Sequence, residues 1–188
     1  MKAFMNGVFM LRTYIVIMLA CFMIFNYPLF CCGQSGITYE QLLSKNIPQG
    51  TPEATYRLEL EMMSEGMYCY DLPIFDQAWR SKGKQILYSS AYKNIDKWKN
   101  SSFTSYIQGD YAVIYYPQNL SAGPVFAYRD GRGWVLDRTA VINYIHYSTD
   151  NSRWFAYGGD YPYLSLLKSV FSMKKVTLNG GIQAYMTE

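Results

Sequence analysis

Residues 103–136 read FTSYIQGDYAVIYYPQNLSAGPVFAYRDGRGWVL, two pairs of apolar segments, each pair joined across a glycine-bearing turn. Gly109-Asp110 separates Phe103–Ile107 from Tyr111–Tyr116, and Asp130-Gly131 separates Val125–Arg129 from Gly133–Leu136. Glycine beside aspartate in such a position marks a tight hairpin, because the turn needs a residue at positive φ. A third pair, Lys175–Leu178 and Ile182–Met186, flanks Asn179-Gly180. Tight turns join antiparallel neighbours, so the spacing predicts a mainly antiparallel, hairpin-rich sheet. Within it, Tyr111–Tyr116 has no polar alternate and is expected to be a central strand covered on both faces. Trp154–Tyr157 is expected as a further strand.

Upstream of Ser101-Ser102 the signals turn helical. Thr51-Pro52-Glu53 places a capping hydroxyl, a proline at the first helical position and an acid at the positive end of the helix dipole; Gly66 closes the segment. Ala54, Leu58 and Met62 recur at intervals of four, with Leu60 and Met63 beside them, which predicts a buried face and leaves Arg57, Glu59 and Glu61 in solvent. Further helices are expected over 73–81, capped by Asp71, and from Ile86 to Lys99, with shorter ones over 139–146 and 161–171. The class is therefore α+β, with N-terminal helices packed on one side of the sheet. A cone-like curved sheet of the nuclear transport factor and ketosteroid isomerase type is compatible with this order of elements, an analogy that no residue motif carries.

The chain begins differently. Lys2 and Arg12 precede the apolar run Tyr14–Phe25, and no acidic residue appears before Glu40. A basic start followed by a short apolar core is what the export machinery reads. Small Cys31 and Gly33 stand at the minus-three and minus-one positions for a cut between Gly33 and Gln34. A retained anchor over Tyr14–Phe30 and a lipid-modified Cys21 are the other two endings these residues allow. Residues 1–33 are accordingly read as signal peptide or membrane anchor, and 34–188 as a single domain of 155 residues (188 less 33). The expected destination is periplasmic, extracellular, or membrane-anchored and facing outward, with the membrane met only through an uncleaved leader.

Removing the leader changes the composition. Its two cations and lack of acids take the net charge from +3 to +1, so no basic surface for nucleic acid is expected. Of Cys21, Cys31, Cys32 and Cys69 only Cys69 remains, which excludes an internal disulfide. With one thiol and one histidine, a transition-metal site lacks ligands, and Asp130, Asp137, Asp150 and Asp160 do not have the spacing of a calcium loop. No metal and no cofactor is expected.

Two candidate sites follow. Cys69 is the only nucleophilic thiol and His146 the only imidazole to activate it, which would make a small secreted thiol-dependent hydrolase or transferase. Against that, Tyr68 and Tyr70 suit a buried structural cysteine, and Asp71 would raise the thiol pKa. The second candidate is aromatic. The chain has 19 tyrosines, many between Tyr106 and Tyr163, and Trp134, Trp154, Tyr157, Tyr161 and Tyr163 are the expected ligand-binding residues of a noncatalytic module. A glycan, a peptide or another envelope protein would suit such a surface. The same residues are also favoured strand residues that could build the sheet itself.

Overall fold

The computed structural model describes residues 37–148, 153–178 and 180–187. The leader, with its Gly33–Gln34 pair, lies outside the described residues. The first element among the described residues is a helix the sequence reading missed, α1 (Tyr39–Lys45), which starts at a capping box. Thr38 Oγ1 accepts from the Gln41 amide at 3.3 Å while Gln41 Oε1 accepts from the Thr38 amide at 2.8 Å. Helix α2 (Pro52–Ser64) follows with the expected Thr51 cap and Pro52 start. Leu60 and Met62 are buried as expected, but the buried face is rotated: Thr55, Tyr56 and Glu59, the last expected in solvent, are inside, whereas Ala54 and Leu58 are half-buried.

After α2 the chain enters β1 (Met67–Cys69), which pairs antiparallel with β2 (Ile86–Tyr88). The expected helix from Ile86 to Lys99 is thus mostly something else. Ile86–Tyr88 finds a strand partner, Tyr92–Ile95 is a 3-10 turn, and only Asp96–Lys99 forms α-helix, α4. Pairing with a strand buried at all three positions overrides local helix preference here. Between β1 and β2 lies α3 (Gln77–Arg80), shorter than expected and capped by Asp76 in place of Asp71.

The second half follows the hairpins. Strands β3 (Thr104–Gln108), β4 (Tyr111–Tyr115), β5 (Val125–Asp130) and β6 (Gly133–Leu136) form an antiparallel meander in that order. Gly109 takes φ +60° at the first turn, as the tight connection requires. The outer edge of β6 is covered by loops: the Trp134 amide donates to Gln49 O at 2.9 Å and the Leu136 amide to Ile74 O at 2.7 Å. Gly133 is needed at this seam, because a Cβ there would stand 2.7 Å from Gln49 O and its φ is +139°.

Asp137 then starts α5 (Arg138–Tyr144) by accepting from the Ala140 amide, and this helix diverts the chain into a third sheet. It comprises β7 (Ile145–Tyr147), β8 (Trp154–Tyr157), β9 (Met173–Thr177) and β10 (Gln183–Thr187), in the order β7-β8-β10-β9, with α6 (Tyr163–Val170) between β8 and β9. All strand pairs are antiparallel. The fold is α+β as expected, but among the described residues the strands divide among three sheets and do not make one continuous curved sheet.

The meander sheet separates two cores. Ala112 and Ile114 of β4, Tyr116 just beyond it, and Val125 and Ala127 of β5 face the first core with Leu60 and Met62 of α2. Val113 and Phe126, the alternate residues, face a second core built from Trp154, Tyr163, Leu166 and Leu167. Helices therefore lie on both faces, the N-terminal ones on one and α6 on the other. Period-two alternation in a strand with no polar residue produces this arrangement.

Candidate functional site

Tyr56, Glu59, Leu60 and Met63 fall at helical spacing on α2, so about two turns of that helix carry them on one face. Opposite them, Asp137 fixes the start of α5 and places Arg138 at its first position. The Arg138 guanidinium reaches back to Glu59: Nε donates to Oε1 at 2.9 Å and Nη2 donates to Oε2. Glu59 Oε1 also accepts from the Tyr68 hydroxyl at 3.1 Å, and Tyr68 Oη accepts from Trp79 Nε1 at 3.2 Å. A buried carboxylate is tolerable only when its lone pairs are met in this way. Burial draws the Arg138 pKa down, but the Glu59 carboxylate beside it outweighs that and holds it above the ordinary guanidinium value.

Arg138, but not Glu59, lines a cavity of about 290 Å³. Tyr56, Trp98 and Tyr116 are aromatic walls, Leu60, Val125 and Val141 are aliphatic ones, and Tyr147 stands at the side. The rings pack edge to face, with Trp98 and Tyr116 centroids 5.2 Å apart and Tyr56 and Tyr116 6.4 Å apart. Their hydroxyls form a chain: Tyr56 and Tyr116 are 3.2 Å apart, and Tyr116 donates to Trp98 O at 3.4 Å. Burial pushes the Tyr56 hydroxyl well above its ordinary pKa and raises that of Tyr116, so both stay protonated. Gly123 turns the chain past Tyr147 at φ +74°; a Cβ there would overlap the hydroxyl that donates to Ala122 O at 3.1 Å.

A second concavity, of about 450 Å³, is polar and open, lined by Tyr128 among charged and polar side chains. Its cations are already matched: Arg80 pairs with Asp71 at 3.3 Å and Arg132 with Asp130 at 2.6 Å. It has no aromatic cage.

The sequence candidates are placed elsewhere. Cys69 is buried in β1, where Sγ donates to Lys84 O at 3.7 Å. Burial pushes its thiol pKa up, outweighing the lowering by the Asp71 backbone amide. His146 lies on β7 in a different sheet, its ring 4.2 Å from that of Tyr157 and 5.6 Å from that of Phe155. The two are not brought together, and no hydrogen bond links thiol to imidazole. The aromatic set is likewise dispersed. Trp134 belongs to the first core; Trp154, Tyr161 and Tyr163 belong to the second. Only Tyr157 is half-buried, because along β8 the residues Trp154 and Ala156 turn inward and Phe155 and Tyr157 outward. The expected aromatic surface is therefore corrected: four of its five residues are core.

Sequence reasoning missed Tyr56, Glu59, Trp98, Tyr116 and Arg138. A signal existed for Glu59, since it lies three residues after Tyr56 and one before Leu60, on the stripe that buries. Its partner 79 residues away carried none beyond its place after an N-cap. Comparison of the chain with protein-family models, with curated proteins and with solved structures finds no match.

Proposed function

We propose that this chain is an exported, noncatalytic binding domain that holds a small ligand in the cavity between α2, α4 and the meander sheet. The observation that carries the reading is a concavity near the lower end of ligand-site volumes, about 300 Å³, with aromatic walls and a few converging polar groups. Those groups are the Arg138 guanidinium and the Tyr56 and Tyr116 oxygens. What supports export is the composition of residues 1–33, a basic start before a short apolar core, and with it goes a location in the periplasm, outside the cell or tethered to the membrane. The reading stays noncatalytic because, among the described residues, no nucleophile stands beside a base at the cavity. Cys69, the rival centre, is sealed within the first core.

The test uses Trp98, which lines the cavity and reports on it by fluorescence. A panel of small aromatic and cycloaliphatic compounds is titrated against the wild-type protein and against Val141→Trp, which fills the cavity from α5 and keeps both Glu59 and Arg138. Wild type is expected to bind members of the panel, and the filled variant to lose at least about tenfold in affinity. Equal binding by both proteins, or no binding by either, would sink the proposal.

A further inference from the structure

We infer that the ligand class for this cavity is a small apolar molecule carrying a carboxamide, an inference that rests on the cavity being the binding site. An arginine has five N–H donors, and Glu59 takes two of them, from Nε and Nη2. The remaining three have no partner among the described residues. Arg138 lines the cavity and Glu59 does not; the side chains are 18% and 2% exposed respectively, so the cavity meets the guanidinium side of the pair. At this wall the pocket offers donors, which seek a carbonyl oxygen.

At the neighbouring wall it offers acceptors. The Tyr116 proton is directed to Trp98 O, so the hydrogen bond between the two hydroxyls is donated by Tyr56. Both protons are thereby committed, and what these hydroxyls keep for a ligand is lone pairs. Tyr147, on the third side, commits its proton to Ala122 O in the same way. Arg138 Cζ lies 5.8 Å from the Tyr56 ring centroid, so donor and acceptor walls adjoin. A group that presents a carbonyl oxygen beside an N–H satisfies both, and a carboxamide does so without charge.

A carboxylate fits less well, although an arginine is present. The Arg138 charge is already balanced by Glu59, so a second anion would leave a net negative charge in a partly buried site. It would also set oxygen lone pairs against the tyrosine lone pairs, with no proton between them. An ester supplies the acceptor alone. The three functional groups thus rank amide, ester, carboxylate on a common hydrocarbon body.

Phenylacetamide, methyl phenylacetate and phenylacetate test this order, with Trp98 fluorescence and ligand-observed NMR as readouts on wild type, Val141→Trp and Glu59→Gln. Wild type is expected to bind the amide several-fold tighter than the ester and about tenfold or more tighter than the carboxylate. Glu59→Gln leaves Arg138 unbalanced, so the carboxylate is expected to gain about tenfold relative to the amide. Binding of the carboxylate as tightly as the amide to wild type overturns the inference and leaves the cavity reading standing. Loss of none of the three in Val141→Trp, or no binding of any to wild type, overturns both. Should Glu59→Gln fail to fold by circular dichroism, the wild-type ranking alone decides.

Discussion

At the residue scale the most consequential pair is Glu59 with Arg138. Replacing both by apolar groups can be nearly neutral, whereas removing one strands the other charge in the interior. Arg138→Met is expected to cost about 3–5 kcal/mol in urea unfolding, and the double variant Arg138→Met/Glu59→Leu to cost less than that single change. A double variant at least as unstable as Arg138→Met would show that the pair is held by more than its charges. Asp137 gives a pH-dependent counterpart. Burial, followed by the nearby Asp76 carboxylate, raises its pKa against the lowering by the Ala140 amide and the Tyr163 hydroxyl. The folded state then holds a proton that the unfolded state releases between the ordinary carboxylate value and the raised one. Stability from this group is full below that window and is lost as pH rises through it. Asp137→Asn keeps an acceptor for the Ala140 amide, so its stability relative to wild type should increase with pH across the window; a constant difference would exclude the linkage.

At the element scale, caps decide where helices begin, and one carboxylate serves two of them. Asp76 Oδ1 accepts from the Trp79 amide at 2.9 Å at the start of α3 and from Thr139 Oγ1 at 2.7 Å, while Oδ2 accepts from the Thr139 amide at 3.1 Å in α5. Thr51 serves α2 alone, through the Ala54 amide. Asp76→Ala should therefore cost about 2 kcal/mol or more and Thr51→Ala about 1 kcal/mol, compared by thermal denaturation; equal losses would deny the double role. These elements also mark what was legible. The three hairpins and the two caps at Thr51 and near Asp137 could be read because glycine turns and capping oxygens act within a few residues of themselves. The strand at Ile86–Tyr88 could not, since its character comes from Met67–Cys69 across space. The site was the least legible part. Tyr56, Trp98, Tyr116 and Arg138 converge only after α2, α4, β4 and α5 have packed, and none belongs to a local motif.

At the scale of the whole domain, one sheet serves two cores, and this bears on how the protein unfolds. Successive residues of β4 are divided between them: Ile114 is buried with Leu60 and Met62, and Val113 with Phe126, Leu166 and Leu167. Neither core can be exposed without uncovering a face of the same four strands, so partial unfolding would leave a sheet with a bare apolar side. The residues of the two cores are accordingly expected to melt together, with β4 and β5 amides exchanging slowest because both neighbours and both faces are covered. Ile114→Ala and Val113→Ala cut into opposite cores and should each cost about 2–4 kcal/mol. Both should shift one shared transition, followed by tryptophan fluorescence and by far-ultraviolet circular dichroism. Separate transitions for the two probes in either variant would mean that the cores are independent folding units. Coincidence would tie the cavity to the far face: Tyr116 and Val125 line it from the same sheet that Phe126 and Tyr163 cover behind, their rings stacked 4.2 Å apart. Tyr163→Ala, remote from any ligand, should then weaken binding only through the fraction of protein unfolded, leaving affinity unchanged where the variant is fully folded.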